Sequence, residues 1–176
     1  MSKTFNITGT YFPEKHYMVN ISDKLAQIIP MVDAGPYFCI NRARQYGKST
    51  TLHALVSQLS DKYIVFPLSF QRMSTAKFKD EDTFCRAFVE RLRRTVEPDF
   101  PSGLNRKFME SLILRAENYH RSFDLTDMFD YLTDLCANSD RPIVLIIDEV
   151  DNACNNQIFL DFLGQLRDLY LNRTIL

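Results

Sequence analysis

The chain has 176 residues, 45% hydrophobic and 24% charged, with a net charge of −1. These figures suit one globular domain with a sizeable core and exclude a low-complexity or collagen-like chain. They also exclude a global field that would draw the protein to nucleic acid or an anionic membrane.

Residues 1–21 read as an irregular lead-in containing Pro13. His16 and Tyr17 have two readings there, packing or a place near a nucleotide base. Ser22 is the expected N-cap of a helix carrying Leu25, Ile28, Ile29 and Val32. Pro30 is expected to kink or end it, and Gly35-Pro36 to stop it. A short apolar run at 37–41 then reads as a strand. It leads into Asn41-Arg-Ala-Arg-Gln-Tyr-Gly-Lys-Ser-Thr50, and Leu52, Leu55, Val56 and Leu59 follow at helical spacing.

Strand, loop and helix with Gly47-Lys48-Ser49 at the turn is the context of a phosphate-binding loop. Amides at a helix start point at an anion, and the helix dipole favours negative charge there. Lys48 would reach the outer phosphates, and the Ser49 hydroxyl would ligate Mg²⁺. The usual first glycine of such a loop falls at position 42, which is Arg42.

Tyr63–Phe70 is the next strand, and Pro67 places it at a sheet edge because proline donates nothing to a ladder. Residues 71–80 read as a polar loop. Three helices are expected at about 81–96, 103–118 and 124–137. Their apolar stripes are Phe84, Phe88 and Leu92; Leu104, Phe108, Leu112 and Ile113; and Leu125, Met128, Phe129, Leu132 and Leu135. Arg91, Arg93 and Arg94 read as a solvated helix face, and nucleic acid is not indicated as a partner.

Residues 143–147 are an unbroken apolar run followed by Asp148-Glu149. Such a strand belongs inside a covered parallel sheet, and its carboxyl end is where α/β folds place ligands. A last helix is expected at about 157–171, burying Phe159, Phe162, Leu163, Leu166 and Tyr170. Cys39, Cys85, Cys136 and Cys154 form no CxxC or CxxH pair and read as buried free thiols of a reducing compartment. No signal-peptide core and no run near the roughly 20 residues of a membrane span is visible, so a cytoplasmic protein is expected.

Gly47-Lys48-Ser49 after a strand, and a second apolar strand ending in Asp148-Glu149 about 100 residues later, together make the plan of a P-loop NTPase. Asp148 would hold Mg²⁺ with Ser49, and Glu149 would orient water against the γ-phosphate. The alternative is that the two acids only end a strand.

The sequence resembles the bacterial AAA-ATPase-like proteins, whose loop reads R-x-R-x-x-G-K-[ST], matched by Arg42, Arg44, Gly47, Lys48 and Ser49. Their acidic motif, D-E-V-D after an apolar strand, is matched at Val144 to Asp151. The segment from Asn156 to Asp168 is similar to the family's next helix.

The resemblance implies a three-layer α/β/α fold with a mainly parallel sheet in the order 5-1-4-3-2. It covers a single domain over 1–176, with the nucleotide-binding core at 22–176. Strands 4 and 5 would come after the last helix, so the expected fold is incomplete, and the chain alone is expected to be marginal, dimeric or aggregation-prone. A homo-oligomer or a further C-terminal region is the implied partner.

ATP and Mg²⁺ are the implied cofactors, since no N/T-K-x-D base-reading motif of a GTPase is evident. Nucleotide contacts fall to Arg42, Arg44, Gln45, Tyr46, Gly47, Lys48, Ser49 and Thr50, and the catalytic roles to Lys48 and Glu149. Arg42 and Arg44 have two readings, phosphate contacts or ion pairs with Asp148 or Asp151. The implied function is ATP binding with hydrolysis. Its alternatives are a nucleotide-dependent switch without turnover and a degenerate remnant.

Overall fold

The computed structural model describes residues 21–35, 37–40, 48–71, 73–150 and 153–172. The lead-in with His16 and Tyr17, Pro36, the loop at 41–47 and Asp151 lie outside the described residues. The chain divides into two compact units, residues 1–61 and 62–176. In the first, helix α1 spans Ser22–Asp33 and helix α2 spans Lys48–Leu59. Leu25 and Ile28 of α1, with Leu55 and Leu59 of α2, are buried at helical spacing.

Two details of α1 differ from expectation. Ser22 is the first helical residue, and Ile21 holds the cap position without a side-chain bond. The Ile21 carbonyl closes the first turn by accepting from Lys24 and Leu25, so no hydroxyl is needed for it. Pro30 does not end the helix, which runs on to Asp33. Proline removes one bond near the last turn, but its own carbonyl still accepts from the Ala34 amide at 2.9 Å. The stop comes at Gly35, whose φ of 78° is left-handed and suits glycine.

The strand expected at 37–41 is not formed over its described part. Residues 37–40 carry no regular structure, and Tyr37 and Cys39 are exposed. An extended segment is held only by a paired neighbour, and none of the described strands pairs with it.

In the second unit, β1 (Ile64–Ser69) pairs in parallel with β2 (Ile143–Asp148), from Ile64 opposite Ile143 to Ser69 opposite Asp148. In β1, Ile64, Phe66 and Leu68 face the core while Pro67 and Ser69 face solvent. The Ile64 amide donates to the Pro142 carbonyl and the Phe70 amide to the Asp148 carbonyl. Amides alternate in direction along a parallel strand, so even-numbered residues address β2 and Pro67 faces away. The missing donor therefore falls on the outer edge, as the sequence leads one to expect. All six residues of β2 are half-buried, rather than enclosed on both faces.

The loop after β1 is less polar than it reads, because Met73 and Phe78 are buried around a 3-10 turn at Thr75–Phe78. Helices α3 (Glu81–Val96), α4 (Arg106–Glu117), α5 (Leu125–Ala137) and α6 (Gln157–Asn172) follow. Phe162 of α6 is the hub of their core, with ring centroids 5.0 Å from Phe88 and 5.5 Å from both Phe84 and Phe129. Phe159 carries the cluster to Phe70 at the end of β1, also at 5.5 Å.

Arg115 is buried on α4. It donates to Asp127 of α5 and to the carbonyls of Arg121 and Ser122, and it lies over the Phe123 ring. A buried cation needs such partners, and these tie the α4–α5 connection down.

Asp124 caps α5, its carboxylate accepting from the Asp127 amide at 2.9 Å. Asp124→Ala is expected to lower stability by about 1 kcal/mol and Asp124→Asn to be near neutral, as read by urea denaturation.

The thiols are mostly not interior. Cys85 is buried, and burial pushes its pKa up, whereas Cys39, Cys136 and Cys154 are exposed. The helical period around Cys136 is carried by Leu125, Met128, Phe129 and Leu135, which leaves the cysteine one position off the stripe.

Candidate functional site

Lys48, Ser49 and Thr50 form the first turn of α2. The buried stripe of that helix is Thr51, Leu55 and Leu59, at i, i+4 and i+8. Ser49 lies two residues from the stripe and is exposed, while Lys48 and Thr50 are half-buried. First-turn amides lack acceptors within their own helix and aim along its axis. With the dipole, that makes this turn suited to an anion. Arg42, Arg44, Gln45, Tyr46 and Gly47 lie outside the described residues.

Asp148 closes β2 at the carboxyl end of the parallel pair. Its backbone is anchored by the Phe70 amide, which donates to its carbonyl at 3.0 Å. Its carboxylate accepts the amide of Glu149 at 2.8 Å. Glu149 is half-buried with φ of 58°, a left-handed conformation uncommon outside glycine. The chain turns sharply there. The Val150 carbonyl accepts from both Ala153 and Cys154, and Ala153 is fully buried before α6 begins. Backbone of this kind is held in place by its surroundings and is concentrated at functional sites. Residue types alone carry no signal for it.

Ser49 supplies a hydroxyl and Asp148 a carboxylate, hard oxygen donors of the kind Mg²⁺ takes. Among the described residues no group of three or more His, Cys, Asp or Glu side chains is placed to hold a metal ion.

The basic cluster of α3 separates into two parts. Arg93 and Arg94 are paired with Glu90 on their own helix, at 2.7 Å each. That is the expected solvated face. Arg91 instead donates to the Ser69 carbonyl at 2.6 Å, at the strand end that faces Asp148. Its spacing from Arg93 and Arg94 gives no sign of this.

No helix among the described residues is long and apolar enough to cross a membrane. A family model described as an AAA domain matches residues 43–175 of the 176. The match takes in Lys48 to Thr50 and Asp148-Glu149. No curated protein and no solved structure matches the chain.

Proposed function

We propose, for a chain that belongs to the AAA-domain family of P-loop NTPases, that residues 22–176 bind ATP with Mg²⁺ and hydrolyse it. The observation that carries this reading is the pair of element ends. Lys48-Ser49-Thr50 opens a helix, and Asp148-Glu149 closes a parallel strand, within one family match.

Lys48 neutralises charge on the β- and γ-phosphates, as a flexible point charge does well. Arg42, Arg44, Gln45, Tyr46, Gly47 and Thr50 complete the contacts to the nucleotide. Ser49 and Asp148 would hold the Mg²⁺, which when bound offsets phosphate charge. Glu149 orients water toward the γ-phosphate and takes up its proton.

A fluorescent ATP analogue titrated with Mg²⁺ and with EDTA tests binding, and saturation that ignores the metal would overturn the metal assignment. Glu149→Gln is expected to keep the affinity and to lower turnover by roughly 100-fold or more. Undiminished hydrolysis in that variant would move the base elsewhere.

One feature favours a second reading, a nucleotide-dependent switch with little turnover. Glu149 is left-handed while its amide occupies the Asp148 carboxylate. A residue held this way can have two states of similar free energy. Single-turnover hydrolysis separates the readings, because a switch binds ATP and leaves it intact.

A further inference from the structure

We propose that the cleft along α3 binds single-stranded nucleic acid, with a strand phosphate on Arg91 and Lys77 and a base stacked on Tyr119. The cleft, of about 640 Å³, runs between α3, the 3-10 turn and the end of α4. Five cations and the carboxylates of Asp82, Glu90 and Glu117 line it, and three of the cations are paired with Asp82 or Glu90. Asp82 holds Arg86 through both carboxylate oxygens, at 2.7 and 2.8 Å. Glu90 holds Arg93 and Arg94.

Arg91 and Lys77 are left without a carboxylate among the described residues. Arg91 is half-buried, and among the described residues it bonds only to the Ser69 carbonyl, through one of its five guanidinium donors. Burial, and after it the nearby Arg94, pull its pKa below the ordinary arginine value. Lys77 lies on the 3-10 turn, lines the same cleft and is exposed.

Charge alone would suit any polyanion. Tyr119 makes the choice. It lines the same cleft and is 79% exposed, with the Arg86 guanidinium 4.6 Å from its ring centroid on one face. The other face is open to a flat partner. Cations beside an exposed ring are the elements of a single-strand groove, where phosphates meet charge and bases stack without sequence preference. The cleft lies within residues 62–176, and its role does not rest on ATP binding.

The test is fluorescence anisotropy of a labelled oligothymidylate with the full chain. Tyr119→Ala is expected to weaken binding at least 5-fold, and Tyr119→Phe to retain it. Lys77→Met with Arg91→Met is expected to flatten the dependence of log affinity on log salt by about 0.7, the value for one single-strand phosphate contact. Lys77→Met with Arg91→Lys should keep the wild-type slope, since a lysine at 91 still neutralises that phosphate. Lys48→Ala should leave oligonucleotide binding unchanged.

Three results would overturn the proposal: no binding by the wild type, equal binding of polyglutamate with no effect of Tyr119→Ala, or binding of thymidine monophosphate as tight as the oligomer. Lys77 and Tyr119 are exposed, so their variants remain informative if substitution of Arg91 disturbs folding.

Discussion

Replacing Lys48 by alanine is expected to weaken Mg-ATP binding by roughly 100-fold or more, measured by titration calorimetry or a fluorescent analogue. The lysine opens α2, so its ammonium starts from the turn whose amides and dipole already favour an anion. A charge-assisted bond to phosphate contributes about 1.5–3 kcal/mol, and further Coulomb attraction to a polyanion adds to it. Every 1.4 kcal/mol is tenfold in affinity. Alanine is the best helix former, so the substitution leaves α2 intact. Unchanged affinity in the variant would remove the phosphate-loop reading.

Phe162→Ala is expected to cost about 3–5 kcal/mol, a large share of the 5–15 kcal/mol that holds a typical domain. Its ring is fully buried and meets those of Phe84, Phe88, Phe129 and Phe159, which arrive from three different helices. Relaxation cannot fill the void without moving α3, α5 and α6 together. At about 2–4 °C per kcal/mol for a chain of this size, the melting temperature should fall by about 6–20 °C. Leu160→Ala on the same helix is the control. That side chain is 47% exposed, and its loss should cost under about 1 kcal/mol. Similar losses in the two variants would mean that Phe162 is not the hub of the core.

Helices were legible wherever a buried stripe ran uninterrupted. The spacing of Phe84, Phe88 and Leu92 gives 81–96 for α3, which is the observed span, because three buried layers leave no other phase. The carboxyl rim of β2 was legible for a similar reason, since five consecutive apolar residues followed by two acids have few other places in an α/β fold.

Residues 37–40 failed the same reasoning. Their apolar character is equal to that of β2, but a strand is a property of a pair, and one segment does not encode whether its neighbour is present. The contact of Arg91 was not legible, because charge spacing describes a helix face and not what the face meets. Here it meets the Ser69 carbonyl. Glu149 could not be anticipated either, since the residue type gives no hint of a left-handed backbone. The helix expected after Gly47 is present, and Lys48, Ser49 and Thr50 open it.

Pro67 gives the sheet a direction of growth. Its ring sits where β1 would otherwise present an amide to a newcomer, so an approaching strand finds the outer ladder of β1 interrupted at its middle. The far side of β2 carries no such interruption, since Ile143–Asp148 contains no proline. Any strand that joins this sheet, whether from the same chain or another, is steered to the side of Asp148 and Glu149. One imino acid on the opposite edge thereby keeps added backbone next to the acidic rim.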